Sequence, residues 1–478
     1  MTLKLHHRIG GERVTADCRN ERRNPSNLAE VVALSPNGDA AILDAALDAA
    51  SLAQPAWAGA SPEFRGDRLG AVADLIAARA DAIGVLLARE EGKTLPEAKA
   101  EVMRAARIFR YFAGETVRLH GRSLPSIRPG LDVETRPEAL GVIGLITPWN
   151  FPIAIPSWKA APALAFGNAV VLKAAGITGA VASALADAIG DAGIPPGVFN
   201  LVFVPGSIAG SMARDRRVAG VSFTGSTGVG RLLAGDAALS GKRLQLEMGG
   251  KNPLVVMDDA DLDRAVAIAL DGCFFSSGQR CTASSRLIVQ DGIHDAFVQA
   301  LAARMAALRV GHALDPDVQI GPVASAEQRD TCECYIALAV QEGGRLVAGG
   351  ERLRRDTEGY FLAPALIADT TSAMTVNQEE IFGPVASVVR VPDLDTAIAV
   401  ANDSAFGLSS GIVTTSLAHA HEFRRRVQAG MVMINAPTAG VDYHVPFGGS
   451  RGSSYGPREQ GFAAADFYTR TKTIYTNP

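Results

Sequence analysis

From Gly141 onward the chain alternates short apolar runs with helix-favouring stretches, and this alternation restricts its fold more than any other feature. The runs 142–146, 169–172, 198–203 and 221–223 are separated by helical patterns from about 155, near 179–192 and near 208–215. Strands alternating with amphipathic helices predict a parallel sheet of Rossmann type in an α/β protein. A second alternating series begins near Asn252, with runs at 254–257, 286–289, 386–391 and 411–413 and a helix from Asp261; it reads as a separate α/β domain. Before Gly141, one strand-like run near 30–34 precedes helical patterns at 39–58, 62–91 and 95–121, so the opening reads as mainly helical cover.

The 478 residues, 47% apolar and 20% charged, suffice for two to four well-buried cores. A net charge of −4 without a long like-charge run gives no footprint for nucleic acid or anionic lipid. Five cysteines, an odd number in a long chain, do not make a disulfide framework. Cys332 and Cys334, with no second pair and no histidine cluster, make a poor zinc site, so no metal is expected. Residues 1–11 are polar, unlike a signal peptide, and no run reaches the roughly 18 apolar residues of a membrane span. The expected setting is a reducing cytoplasm, which suits a free thiol.

Three segments carry chemistry. In Phe274-Phe-Ser-Ser-Gly-Gln-Arg-Cys-Thr-Ala-Ser-Ser-Arg286, Cys281 follows Arg280 among small residues. Nearby positive charge favours a thiolate, although a lone cysteine is also compatible with a small buried apolar residue. In Leu244-Gln-Leu-Glu-Met-Gly-Gly-Lys-Asn-Pro253, Glu247 ends an apolar run just before two glycines, where a ligand could approach closely. In Gly141-Val-Ile-Gly-Leu-Ile-Thr-Pro-Trp-Asn-Phe-Pro152, Asn150 presents an amide donor past a strand end, where α/β proteins bind ligands. A cysteine, a carboxylate and a neutral amide are the components of acyl chemistry through a thioester. Gly225-Ser-Thr-Gly-Val-Gly230 follows a strand and opens a helix, a place suited to a phosphate, though the pattern equally describes a plain loop. No G-x-G-x-x-G fingerprint occurs at the first strand–helix turn.

Taken with Phe223-Thr-Gly-Ser226, Glu379-Glu-Ile-Phe-Gly-Pro384 and Pro446-Phe-Gly-Gly449, these motifs resemble the aldehyde dehydrogenase superfamily in order and approximate spacing, from about Gly10 to Thr473. Gly278-Gln-Arg-Cys-Thr-Ala-Ser-Ser-Arg286 and Ser453-Ser-Tyr-Gly-Pro-Arg-Glu-Gln460 look most like the dehydrogenases of 2-oxoglutarate semialdehyde (2,5-dioxopentanoate). The resemblance implies an NAD(P)-binding domain at 1–120 and 138–248, a catalytic domain at 249–445, and a projecting oligomerisation element at 121–137 and 446–478 that would build a homodimer or homotetramer.

By the same resemblance, Cys281 attacks an aldehyde, Asn150 holds the oxyanion, Glu247 activates water against the thioester, and Lys159 assists proton movement near that base, unless it is an ordinary surface lysine. Members that pass the acyl group to coenzyme A generally lack the acid, so Glu247 implies a free carboxylate product. Residues matching the cofactor channel are Ile146, Thr147, Pro148, Trp149, Lys173, Gly176, Gly206, Gly225, Ser226, Val229, Met248, Gly249, Glu380 and Phe382. Phe151, Trp158, Arg280, Ser284, Thr438, Tyr443 and His444 are candidates to meet the substrate, with Arg280 alternatively tuning Cys281 or pairing with an interface acid.

Lys173-Ala-Ala-Gly176 departs from the family, which commonly has Lys-Pro, a small residue and an acid or other polar residue. An acid at position 176 would bind the adenosine ribose and repel a 2′-phosphate. Glycine does neither, so the sequence leads us to expect use of NADP beside NAD, with Lys173 facing the phosphate. Other readings are a dehydrogenase of succinate semialdehyde or of an aliphatic or aromatic aldehyde, a thioester hydrolase without redox function, or a non-catalytic structural member of the fold. The last predicts loss of the nucleophile or base, which this chain keeps.

Overall fold

The computed structural model describes residues 2–478. Its largest sheet has eight strands in the order Ser454–Tyr455, Arg243–Glu247, Val218–Thr224, Val142–Ile146, Ala169–Lys173, Phe199–Val202, His7–Ile9, Glu12–Val14. The five from Arg243–Glu247 to Phe199–Val202 run parallel, and antiparallel pairs finish both edges. Every residue of Val142–Ile146 is buried, as a parallel strand covered on both faces requires. Register pairs Ile146 with Lys173 and Phe223, and Thr224 with Glu247. The carboxyl ends of these strands therefore open together along one edge of the sheet, and the helices Ala154–Ala165, Gly179–Asp191 and Thr227–Leu239 follow them.

A seven-stranded sheet follows the order Arg345–Ala348, Ala365–Thr370, Val385–Val391, Ser284–Gln290, Asn252–Val256, Ser409–Val413, Met431–Ile434. Its first pair is antiparallel and the others parallel. Helix Leu262–Phe274, opened by the Asp261 side chain on the Arg264 N–H, lies across it. A third sheet joins Arg122–Pro125, Asp132–Ala139 and Thr469–Thr476, the last pair matched over eight antiparallel positions. No helix among the described residues is long and apolar enough to cross a membrane.

The opening is mainly helical, as expected, but five strands precede the first helix where one was expected. Strands of two or three residues such as Leu3–Lys4 and His7–Ile9 are too short to show alternation, and the polar Cys18–Asn24 is a strand only because it pairs with Asn27–Pro36. The pattern expected over 62–91 is two helices, Pro62–Ala78 and Ala80–Glu91, parted at Arg79 (φ −99°, ψ 8°). The next, Leu95–Glu115, stops six residues early. The stretch near 208–215 is a short helix, Gly206–Gly210, and one 3₁₀ turn. Within 446–478, only Thr469–Thr476 joins the third sheet; Ser454–Tyr455 pairs beside Glu247 in the largest one.

Candidate active site

Cys281 sits between helix Leu262–Phe274 and strand Ser284–Gln290, on a loop whose backbone is unusually constrained. Ser276, Ser277 and Gly278 all take left-handed φ, at 54°, 45° and 54°. A Cβ on Gly278 would stand 2.0 Å from the Gly383 carbonyl oxygen, so only glycine fits. Asn252 then clamps the exit, donating its amide to the Cys281 carbonyl (2.7 Å) and the Ala283 carbonyl (2.9 Å) while accepting from the Ser409 N–H (3.0 Å). Asn150 reaches the same loop, its Nδ2 donating to the Gln279 carbonyl at 3.1 Å. An amide nitrogen carries two hydrogens, which leaves one for a ligand.

The thiol is not lowered in the way Arg280 would predict. Burial, then the charges of Glu247 and Glu380, push Cys281 up to about 12. Arg280 instead turns back onto helix Leu262–Phe274, donating to the Asp271 carboxylate (3.4 Å) and to the Asp271 and Gly272 carbonyls. The acid it pairs with lies in its own chain, nine residues back, and not across an interface.

Glu247 ends its strand with 2% exposure, accepting the Ser454 hydroxyl at 2.6 Å. Burial first, and then the nearby Glu459, hold its carboxyl well above the usual range. Lys159 is fully buried rather than a surface lysine: it is bonded to the Glu459 carboxylate and to Ser222 Oγ (2.8 Å). Trp158 Nε1 donates to the other Glu459 oxygen at 2.7 Å.

A cleft of about 230 Å³ brings together Trp149, Ser226, Gly249, Cys281, Glu380 and Phe382, with Pro148, Gly225 and Met248 on its wall. Phe382 meets Trp149 edge-on, with ring centres 5.5 Å apart. Glu380 accepts the Gly250 N–H at 2.9 Å, and burial pushes its carboxyl up to about 6. A Cβ on Gly249 would lie 2.3 Å from the Glu380 carboxylate, so the backbone there is bare by necessity. Thr147 and Thr224 keep buried hydroxyls without hydrogen-bond partners. Ser226 stands at the start of helix Thr227–Leu239 without capping it, leaving the first N–H groups open. Val229 is exposed one turn on, and Ile146 is the buried last residue of its strand. At the adjoining strand end, burial lowers Lys173, and Cβ atoms added to Gly176 or Gly206 would meet nothing within 4 Å. Free hydroxyls, a ribose-sized carboxylate partner, bare backbone and an open helix start fit a dinucleotide.

The expected substrate residues divide. Phe151 lies under the Lys93 ammonium, 4.2 Å from its ring centre, and Tyr443 packs edge-on against Tyr111 and beside the exposed His444. Ser284 and Thr438 are buried and spend their hydroxyls on each other (2.6 Å), with Thr438 also donating to the Thr282 carbonyl. They brace the cysteine loop.

Sequence reasoning missed Asn252, Ser454 and Glu459, although all three stand inside the motif segments. It also missed Lys93 and Glu101, which fix the Asn150 turn. Lys93 Nζ donates to the Asn150 carbonyl and to Glu101, each at 2.7 Å, and Glu101 accepts the N–H groups of Ile153 and Ala154 at 3.1 Å. The only signal for that pair was a lysine and a glutamate at a helix start with no apolar role.

A model of the aldehyde dehydrogenase family matches residues 14–474. The chain is 44% identical over 458 residues to an alpha-ketoglutaric semialdehyde dehydrogenase of Bacillus subtilis (95% of this chain, 94% of that one). It is 43% identical over 481 residues to an alpha-ketoglutarate semialdehyde dehydrogenase of Haloferax volcanii (99% of each). Among solved structures, betaine aldehyde dehydrogenase of Staphylococcus aureus in complex with NAD+ superposes with a TM-score of 0.96 at 35% identity, covering 99% of this chain and 95% of that one. This chain belongs to the aldehyde dehydrogenase family, and it is an NAD(P)-dependent aldehyde oxidoreductase.

Proposed function

We propose that this enzyme oxidises 2-oxoglutarate semialdehyde to 2-oxoglutarate, with Cys281 as nucleophile. The observation that carries the substrate is the near-full-length similarity to two relatives named for that aldehyde, at 44% and 43% identity. Cys281 passes its proton to the Glu247 carboxylate and adds to the aldehyde carbon as the thiolate, and the new oxyanion is held by the free hydrogen of Asn150 Nδ2 and the Cys281 N–H. One good donor at that position supplies about 3 kcal/mol. A nicotinamide held in the cleft would supply the acceptor for the hydride from that carbon, while Cys281 keeps the acyl group as a thioester. Glu247 takes a proton from water, which hydrolyses the thioester to a free acid. The Lys159–Glu459 pair lies behind this base and fits a path for the proton leaving it.

Trp149, Ser226, Gly249, Glu380 and Phe382 would hold the dinucleotide. The open space at Gly176 and the absence of an ion-pair partner for Lys173 among the described residues favour NADP, with NAD also used. The third sheet, with Leu124 and Tyr475 exposed on its strands and Ile127 in the turn between two of them, fits an assembly surface of a homodimer or homotetramer. A reducing cytoplasm would keep Cys281 free.

The test is the initial rate of reduced nicotinamide formation with 2-oxoglutarate semialdehyde, succinate semialdehyde and butanal, each with NADP and NAD. Preference for the 2-oxo acid semialdehyde supports the substrate; equal or better turnover of butanal defeats it. A large NAD advantage defeats the cofactor preference alone.

A further inference from the structure

Arg104 stands on helix Leu95–Glu115, and no role in the chemistry above uses it. Its Nε and Nη2 are buried and have no hydrogen-bond partner. A guanidinium taken from water without an acceptor is costly, so its open edge calls for an anion. The acid one turn earlier, Glu101, cannot serve: Lys93 takes one oxygen, and the Ile153 and Ala154 N–H groups take the other. Asp442 lies exposed, and among the described residues it forms no ion pair with Arg104.

Its neighbours belong to the segments around the candidate site. The guanidinium carbon lies 5.9 Å from the centre of the Trp158 ring, next in sequence to Lys159. Residues 104, 108 and 111 share one helix face at the i, i+4, i+7 spacing, and Tyr111 on that face meets Tyr443 edge-on. The Cys281 thiolate, once formed, is among the charges that would act on Arg104, so the two groups are within electrostatic reach of one another.

We infer that Arg104 is the specificity residue of this site, offering Nε and Nη2 as a two-pronged receptor for the carboxylate at the far end of the semialdehyde. Planar two-point pairing with a carboxylate is what arginine provides and lysine does not. Such a receptor also disfavours cationic aldehydes, by like-charge repulsion. The inference rests on the reading of the substrate as an acid semialdehyde.

The variants Arg104→Met and Arg104→Lys, with wild type, would be assayed on 2-oxoglutarate semialdehyde and on butanal. Binding of 2-oxoglutarate would be followed separately by tryptophan fluorescence. Arg104→Met is expected to lose roughly 30- to 100-fold in kcat/KM on the acid semialdehyde, mainly through KM, as loss of charged hydrogen bonds implies. Its turnover of butanal should change far less, 2-oxoglutarate binding should weaken in parallel, and Arg104→Lys should recover part of the loss. Equal losses on both aldehydes, or undiminished 2-oxoglutarate binding, overturn the inference. A wild type that favours butanal defeats the substrate reading itself, whereas an Arg104→Met enzyme that keeps the wild-type preference defeats only the role of Arg104.

Discussion

Ser454 and Glu247 face each other across an antiparallel strand pair, and the serine hydroxyl donates to the glutamate at 2.6 Å. This bond favours the charged carboxylate, against the burial and the Glu459 charge that hold Glu247 protonated to higher pH. Ser454→Ala removes the favouring contact, so the Glu247 carboxyl should rise further. The acidic limb of the kcat profile should move to higher pH by about one unit, the worth of one charged hydrogen bond. An unmoved limb would show that Glu247 does not set it.

Glu380 is pushed up to about 6, so at pH 8 it is charged and raises the Cys281 thiol. Glu380→Gln keeps the shape and removes the charge. Alkylation of the cofactor-free enzyme by iodoacetamide at pH 8 should become a few-fold faster, because more thiolate is present. A slower or equal rate would contradict this electrostatic coupling.

Lys159 and Glu459 form a buried pair, at 0% and 2% side-chain exposure. Lys159→Met strands the carboxylate and should cost about 3 kcal/mol or more of stability. Lys159→Met with Glu459→Gln should regain much of that loss, since no buried charge then lacks a partner. Denaturant unfolding of the two variants distinguishes this from a packing defect, which the second substitution would not repair.

His7 is buried beside Phe203, and its Nδ1 accepts the Phe203 N–H at 3.1 Å, so protonation there breaks a bond. Burial lowers it from 6.5 to about 4. Between those values the unfolded chain binds the proton and the folded protein does not, so stability present above pH 6.5 is lost as pH falls toward 4. His7→Gln should flatten the fall in unfolding midpoint across that window. An unchanged slope would assign the acid sensitivity to other groups.

The alternating core of the fold was legible in the sequence because parallel strands buried on both faces, such as Val142–Ile146 and Asn252–Val256, are short continuous apolar runs. The edge strands were not, because their stability comes from a partner rather than from their own pattern, as the polar Cys18–Asn24 illustrates. Cys281, Glu247 and Asn150 stood out in the sequence as a thiol, a carboxylate and an amide at loop and strand ends. The residues that orient them were harder to see: Asn252 stands 29 positions from Cys281, and Glu459 stands 300 from Lys159. Arg280 misled for a related reason, since adjacency in sequence placed its charge beside the thiol while its side chain turned back to Asp271.

The bare Cα of Gly278 against the Gly383 carbonyl has a mechanical consequence. It interlocks the cysteine loop with the turn carrying Glu380 and Phe382, the latter itself held at φ 61°. With Asn252 gripping the Cys281 carbonyl from the other side, the cysteine loop and the cleft wall formed by Glu380 and Phe382 make one stiff jaw. A displacement of that wall would carry the sulfur with it, so the spacing between Cys281 and the Glu380–Phe382 turn is fixed by backbone contact rather than by side chains.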